Sequence, residues 1–290
     1  MTARILAALV VVLVAVGCTS PTPSGPAPAT GPAASAPTGV LKPDHIVVVV
    51  LENKDSSSIL GSPQAPYLTS LAAQSAVFTD AHAITHPSQP NYLALFAGST
   101  QGVVDDGCPF SVSSENLASE LSAAGLSFGG FSEDLPSTGY TGCATAQYAR
   151  KHNPWVNFTN VAASSNRPFA DFGPDYSTLP TVSFVAPNLC NDMHDCSVRT
   201  GDAWLREHIQ PYLDWAGSHD SLLVVTFDEA EHSASNHIMT LFAGPMVAAG
   251  TYAEHVDHYR VLRTIQDAYR LTHVGNTVTA DPITDIWRAR

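Results

Sequence analysis

The chain has 290 residues, with 13 Lys and Arg against 26 Asp and Glu, which gives a formal net charge of −13. Proteins that bind nucleic acid cluster Lys and Arg on one surface, so this charge balance excludes nucleic acid as the expected partner. An anionic substrate would have to be attracted locally, by a metal ion and a few cationic side chains.

Residues 1–18 have the pattern of an export signal. Arg4 precedes an apolar run over 5–16, which is short for a membrane span and typical of a signal peptide. The run ends in Ala-Val-Gly-Cys, which is similar to a lipobox, in which the cysteine (here Cys18) is lipidated and becomes the mature N-terminus. A cleaved signal with a chance cysteine is the alternative. We therefore expect an exported protein, either anchored to the membrane as a surface lipoprotein or secreted.

Residues 19–41 consist almost entirely of Pro, Ala, Ser, Thr and Gly. Such a segment cannot bury apolar surface, so we predict a disordered tether. Residues 42–290 then form one domain of ordinary size with a substantial core. We expect this domain to act as a monomer.

Strands and helices alternate along this domain. Predicted strands cover 45–51, 77–79, 126–131, 181–185, 221–227 and 238–243. Predicted helices cover 66–76, 91–98, 115–124, 201–215 (with a kink at Pro211) and 259–269. Continuous β-branched runs indicate strands buried on both faces, so the fold class is α/β, a three-layer α/β/α sandwich with a mostly parallel central sheet. The irregular stretch 132–180 is expected to be an insertion or cap.

Two pairs of oxygen-bearing side chains directly follow two of the apolar strands. Glu52 and Asn53 follow the first strand, and Asp228 and Glu229 follow the strand over 221–227. Ligand sites of parallel sheets lie beyond the carboxyl ends of the strands, so both pairs are expected on one rim. Either pair alone could be a turn or a solvated loop, but together they predict a cation site. Ligands that are all oxygen favour Mg²⁺, Ca²⁺ or Mn²⁺ over Zn²⁺.

A loop that presents a hydroxyl, His-Pro-Ser-Gln-Pro-Asn-Tyr at 86–92, lies between these pairs in the sequence. Ser88 starts a helical run, where a serine is an ordinary N-cap. A helix N-terminus also binds phosphate oxygens, and a serine in contact with a cation there could be deprotonated and attack phosphorus. The two oxygen-bearing pairs favour this second interpretation.

A competing serine lies in Gly125-Leu126-Ser127-Phe128-Gly129, which matches the GxSxG elbow of α/β-hydrolases. That elbow requires a strand before the serine and a helix after it. Here a predicted helix precedes the serine and a predicted strand follows it, so the elbow is disfavoured and the glycine before the motif is better explained as a helix stop.

Four cysteines lie beyond Cys18, and an even number in an exported domain predicts two disulfides. Three pairings are possible. We favour Cys108–Cys143 and Cys190–Cys196, because the second pair closes a short loop that offers a histidine and carboxylates. The rival interpretation, a zinc site, lacks paired CxxC spacing.

Histidines supply the remaining polar chemistry. His86 lies beside the loop serine, His152 follows Lys151 in a basic cluster, and His194 lies in the short cysteine-framed loop. Hydrolysis of a phosphate ester requires donors for the non-bridging oxygens and an acid for the leaving oxygen. We predict His152 and His194 for these roles, and Lys151, Asn91 and His86 as substrate-binding residues.

The chain resembles the bacterial phosphoesterase family of acid phosphatases and phospholipases C, within the alkaline phosphatase superfamily. The segments that carry the resemblance, in the same order, are 50–53, 86–98, 148–158, 191–195, 201–205, 224–229 and 283–287. The resemblance covers about 45–287 and implies an alkaline phosphatase-like fold.

The same resemblance implies roles for individual residues. Ser88 would be the nucleophile, and Glu52, Asn53, Asp228, Glu229 and Ser88 itself would contact the metal. His152 and His194 match positions that bind phosphate or transfer a proton.

The function that we predict is a metal-dependent phosphohydrolase. It would cleave phosphate monoesters with broad specificity through a phosphoserine intermediate, with small phosphate esters and phospholipid head groups, phosphoinositides among them, as candidate substrates. A phospholipase C or other phosphodiesterase on the same scaffold is the first alternative. A non-catalytic surface lipoprotein that binds a ligand is the second.

Overall fold

The computed structural model describes residues 39–231 and 233–288. The predicted signal, the lipobox and the tether up to residue 38 lie outside the described residues and stay predictions. None of the helices in the described part of the chain is long and apolar enough to cross a membrane.

One sheet of eight strands organises the domain. The strands are β1 (Ile46–Leu51), β2 (Ala76–His82), β3 (Phe128–Ser132), β4 (Asn166–Pro168), β5 (Val182–Ala186), β6 (Leu222–Phe227), β7 (Thr240–Ala243) and β8 (Gly250–Asp257). Their order is β4-β3-β5-β1-β6-β7-β2-β8. β7 pairs antiparallel with both of its neighbours, whereas the other pairings are parallel. The carboxyl ends of β1, β6, β2 and β8 therefore lie on the same edge.

The described residues form seven α-helices, of which six lie between strands in the sequence and the seventh follows the last strand. They are α1 (Ser56–Ile59), α2 (Pro66–Ala72), α3 (Ser88–Ala97), α4 (Leu117–Ala123), α5 (Val198–His208), α6 (Gln210–Ala216) and α7 (His258–Tyr269). α3 packs against α7, and α2 packs against α5, which continues into α6. This grouping fits helices on both sides of the sheet, in agreement with the predicted mostly parallel α/β sandwich.

The centre of the sheet is fully buried. All residues of β1 and of β6 are buried, as their apolar runs predicted. Leu51 pairs with Phe227 at the ends of these strands. The residues that follow the two strands, Glu52 and Asp228, therefore leave the sheet side by side.

The predicted helix over 201–215 is two helices, α5 and α6, which meet at Ile209. The break lies just before Pro211, because proline has no N–H to continue the helical bonding. The expected cap over 132–180 is part of the same domain: it supplies the edge strand β4, and Trp155 packs so closely on Gly130 that a Cβ there would overlap the indole ring.

Two edge strands escaped prediction. β4 has only three residues, and β8 is largely exposed, so neither carries a run of apolar side chains. β8 pairs in parallel with β2, which is also longer than the short strand that the sequence predicted.

Candidate active site

Ser88 is the first residue of α3, just after the loop that follows β2. All ten residues of this helix are buried, so its start is fixed against the core. Asn91 holds the loop: its Oδ1 accepts from the N–H groups of Ile84 and Thr85, at 3.0 Å each, and its Nδ2 donates to the carbonyls of Thr85 and Pro87. Since the whole amide bonds to backbone, this geometry makes Asn91 a loop-holding residue and does not support the predicted contact with substrate.

Ser88 lies among the side chains that follow β1 and β6. Its Oγ is 3.2 Å from Glu52 Oε2, 3.3 Å from Glu229 Oε1 and 3.4 Å from Asn53 Oδ1. The backbone N–H of Asn53 donates to Asp228 Oδ1 at 3.0 Å, which ties the two strand ends together. These five residues, called the oxygen cluster below, are the predicted metal-binding set, and the fold brings all of them together.

The oxygen cluster places the carboxyl groups of Glu52, Asp228 and Glu229 close together in a buried environment. Burial, together with the charges of Asp228 and Asp192, raises the pKa of Glu52 well above its usual range. Burial and the neighbouring Glu229 raise the pKa of Asp228 to about 8, and burial raises the pKa of Glu229 to about 7. Ionised carboxylates crowded in this way need a cation between them.

The amide of Asn53 provides a test of whether the oxygen cluster fits a metal ion. Its terminal atoms can be turned so that nitrogen donates to Glu52 Oε2 and Asp228 Oδ1, at 2.9 and 3.1 Å. In the other orientation its oxygen faces these carboxylate oxygens, an arrangement that a cation between them would stabilise. Carboxylate, amide and hydroxyl oxygens are the ligands that Mg²⁺, Ca²⁺ and Mn²⁺ prefer, so the residues present fit such an ion.

His152 lies behind Glu52 and is only 3% exposed. Its Nε2 is 3.3 Å from Glu52 Oε1, its Nδ1 is 3.2 Å from Asp192 Oδ2, and its ring stacks on Tyr92. Burial lowers the pKa of His152 well below its usual range. The ligand atoms of Glu52, His152 and Asp192 lie within 4.8 Å of one another, so this triad could also hold a metal.

Asp192 is a site residue that the sequence did not predict, although it lies in segment 191–195, which carries part of the family resemblance. Burial raises its pKa to about 7, and its Oδ1 accepts from the backbone N–H of His194 at 2.8 Å. The loop around it is closed by Cys190–Cys196, and the other disulfide is Cys108–Cys143. Both predicted disulfides are confirmed.

His194 lies at the outer side of this loop. Its ring centroid is 5.9 Å from that of His152, its side chain is 30% exposed, and its Nδ1 lies 2.7 Å from Asp195 Oδ1. The carboxylate therefore fixes the Nδ1 side of the ring and leaves Nε2 as the nitrogen that can exchange a proton.

Two more of the predicted residues, His86 and Lys151, pair with carboxylates at or beside the oxygen cluster. The Nδ1 atom of His86 lies 2.6 Å from Glu229 Oε2. Lys151 donates to Asp106 Oδ2 at 2.9 Å. Burial lowers the pKa of Lys151, but the bond to Asp106 and the charge of Glu52 outweigh it, so the net shift is upward.

Asp106 is a site residue that sequence reasoning missed. Its second oxygen, Oδ1, accepts from the backbone N–H of Gln89 at 2.9 Å, at the start of α3. One carboxylate thus connects the serine helix to Lys151. The only local signal in the sequence is that Asp106 follows a second aspartate, Asp105. The sequence around them does not indicate that this loop folds back onto α3.

The competing Ser127 lies at the other edge of the sheet. It directly precedes β3, and its hydroxyl and N–H bond to Thr181, at the amino-terminal end of β5. The strand follows the serine instead of preceding it, so the geometry of a hydrolase elbow is excluded, as predicted.

Comparisons with known proteins agree with this geometry. Residues 60–272 match the Phosphoesterase family. The chain is 50% identical over 267 residues to a phosphatidylinositol-3-phosphatase of Mycobacterium tuberculosis, covering 91% of this chain and 88% of that one. It is 31% identical over 252 residues to a probable acid phosphatase of Kluyveromyces lactis, covering 79% of this chain but only 58% of that longer protein.

A solved structure of an alkaline phosphatase superfamily protein from Vibrio parahaemolyticus shares the fold. It aligns with a TM-score of 0.57 at 12% identity, over 87% of this chain and 74% of the other. The predicted alkaline phosphatase-like fold and the prediction of a phosphoric ester hydrolase are confirmed, and the chain belongs to the Phosphoesterase family.

Proposed function

We propose that the protein hydrolyses phosphate monoesters through a phosphoserine intermediate formed at Ser88. The observation that carries this proposal is the position of the Ser88 hydroxyl, within 3.4 Å of oxygens from Glu52, Asn53 and Glu229 at the start of a buried helix. A hydroxyl so placed can attack phosphorus where an ion and a helix N-terminus stabilise the phosphoryl charge.

The metal ion is proposed to lie in the oxygen cluster and to be Mg²⁺, Ca²⁺ or Mn²⁺, because the cluster offers only oxygen ligands. When bound, such an ion supplies a Lewis acid that favours the ionised serine and neutralises charge on the phosphoryl oxygens. The triad of Glu52, His152 and Asp192 is the competing place for an ion. There His152 would be a ligand, whereas with the ion among the oxygens it would position Glu52.

The other side chains of the site divide the remaining work with Ser88. Ser88 enters this step ionised, with its proton already released to water. Its Oγ attacks phosphorus in line, and the bond between phosphorus and the leaving oxygen breaks. His194 Nε2 donates a proton to that oxygen, while Asp195 holds Nδ1. Lys151, held by Asp106, would pair with the charged phosphoryl oxygens. Water then attacks the phosphoserine and gives its proton to His194, and the bond between phosphorus and Ser88 Oγ breaks to return the ionised serine.

The substrates are proposed to be phosphate monoesters of several kinds, phosphoinositide head groups among them. The relative from Mycobacterium tuberculosis is named a phosphatidylinositol-3-phosphatase and the one from Kluyveromyces lactis a probable acid phosphatase, and the two names together support this breadth. Export is supported by the two disulfides, which persist in oxidising compartments. Anchoring through a lipid on Cys18, and action as a monomer, remain part of the proposal.

The experiment is hydrolysis of p-nitrophenyl phosphate by the full chain, beside S88A and the matched control S127A. We expect S88A to lower kcat by about 10³-fold or more, because the covalent route is lost. S127A should stay within about twofold, since its hydroxyl lies at the opposite edge of the sheet. A chelator should abolish activity in the wild type, and Mg²⁺ or Mn²⁺ should restore it.

A second substrate separates the alternatives. Faster cleavage of bis(p-nitrophenyl) phosphate than of the monoester would replace the phosphatase with a phosphodiesterase on the same serine. No hydrolysis of either substrate, with metal supplied, would leave the non-catalytic binding protein. Equal activity of S88A and the wild type would exclude Ser88 as the nucleophile.

A further inference from the structure

A second group of potential metal ligands lies on β2 and β8, apart from the oxygen cluster. Asp80 and His82 are two residues apart on β2, so their side chains leave the same face of the strand. His255 on β8 pairs with Asp80 in the parallel register. Each of the three offers a ligand atom, and these atoms lie within 4.8 Å of one another. We call them the edge-strand cluster, because β8 is the last strand of the sheet.

Hydrogen bonding of His82 determines which ring nitrogen is available. Its Nδ1 lies 2.6 Å from the carbonyl oxygen of Ser235, which can only accept, so Nδ1 carries the hydrogen. In the neutral ring Nε2 then presents a lone pair, yet it faces Asp80 Oδ1 at 2.8 Å. A lone pair and a carboxylate oxygen at this distance repel each other unless a cation, either a second ring proton or a metal ion, lies between them.

The surroundings of the edge-strand cluster suit a metal ion. Histidine ligands of metals regularly donate their other ring N–H to a backbone carbonyl, as His82 does to Ser235. His255 Nδ1 lies 3.2 Å from Asp80 Oδ2, so the carboxylate is flanked by an imidazole on each side. The side chain of His255 is 57% exposed, which gives an ion a path of entry.

We propose that Asp80, His82 and His255 bind a first-row transition-metal ion such as Zn²⁺, at a site separate from the one used for hydrolysis. Two imidazoles and one carboxylate prefer such ions over Mg²⁺ or Ca²⁺, and three protein ligands leave a position for water. The ion would join the edge strand β8 to β2, whose carboxyl end leads into the serine loop.

The test is a calorimetric titration of the metal-stripped full chain with ZnCl₂. The variants are H255N and D80N, and the matched control is H219N, another exposed histidine that bonds to the carbonyl of Trp215. We expect the wild type and H219N to bind one more equivalent of Zn²⁺ than H255N or D80N, or to bind that equivalent at least about tenfold more tightly. Hydrolysis of p-nitrophenyl phosphate should be unchanged within about twofold in all three variants.

Imidazole ¹⁵N spectra provide a second readout that does not depend on the variants. With Zn²⁺, the ring nitrogens of His82 and His255 should shift together at one equivalent, and those of His219 should not. Stoichiometry and affinity equal to wild type in both H255N and D80N would overturn the proposal. Unchanged ring resonances of His82 and His255 at saturating Zn²⁺ would overturn it as well, and would leave only an ion pair at this position.

Discussion

The oxygen cluster and the edge-strand cluster both lie near the carboxyl ends of parallel strands, but they differ in burial. Asp228 is 1% exposed, and burial raises its pKa to about 8. The side chain of Asp80 is 49% exposed, and its bond to His82 lowers its pKa. The first carboxylate is costly to ionise without a bound cation, whereas the second is already ionised beside imidazoles. Burial therefore means that the carboxylate of Asp228 needs a bound cation in order to ionise, whereas the carboxylate of Asp80 is ionised without a metal ion.

The largest effect that tests this comparison is expected from D228N. Loss of one charged ligand from the oxygen cluster should lower kcat/KM for p-nitrophenyl phosphate by about 10³-fold, because several kcal/mol of charge stabilisation are lost. D220N is the matched control, since Asp220 lies at the opposite end of β6 and is exposed. D80N should also retain activity. A D228N enzyme within tenfold of the wild type would contradict the assignment of the oxygen cluster as the catalytic metal site.

A smaller and substrate-dependent effect is expected from H194N. For an alkyl phosphate the leaving alkoxide requires a proton, so kcat should fall by about 10²-fold or more. For p-nitrophenyl phosphate the leaving group is stable as an anion, so kcat should fall only a few-fold. H208N provides the matched control. Equal losses on both substrates would indicate that His194 binds phosphate and does not protonate the leaving oxygen.

The smallest effect is expected at a buried carboxyl that has an amide as its partner instead of a cation. Glu120 on α4 accepts from Gln266 Nε2 at 2.8 Å, and burial raises its pKa to about 8. The folded protein then keeps a proton that the unfolded chain releases above its own pKa of 4.5. This contribution to stability is fully present below pH 4.5 and is lost as the pH rises towards 8.

E120Q should remove this loss, because glutamine does not ionise. Relative to the wild type, its free energy of unfolding should rise by on the order of 1–3 kcal/mol between pH 5.5 and pH 8. Urea denaturation at several pH values measures this difference, with E207Q at an exposed position as control. A constant difference across the pH range would show that Glu120 is ionised in the folded state.

Local patterns were sufficient for the parts of the fold that bury the most apolar surface. The runs at β1 and β6 predicted buried parallel strands, and the residues after them were expected on one rim because parallel strands share their carboxyl edge. The same logic failed for β8, whose side chains are mostly exposed and therefore have no apolar pattern. Secondary structure was predictable where burial imposed a pattern on the residues.

The sequence predicted which residues lie at the site more accurately than it predicted what each side chain contacts there. Asn91 lies in the motif beside Ser88, yet its amide bonds only to the loop backbone. Asp106, far from the motif, fixes Lys151 and the start of α3. A side chain's partners depend on which loops fold back together, and spacing along the chain does not encode that.

The sequence by itself determined the α/β class, the oxygen-bearing pairs at two strand ends, the serine between them and the two disulfides. These features follow from local periodicity, strand direction and composition. Only the tertiary structure decided that His152 is buried behind Glu52, that Asp106 joins Lys151 to the serine helix, and that Asp80, His82 and His255 converge. Each of these depends on contacts between segments distant in sequence. Packing of the helices on the sheet buries His152, whereas parallel pairing of β2 with β8 brings Asp80 beside His255.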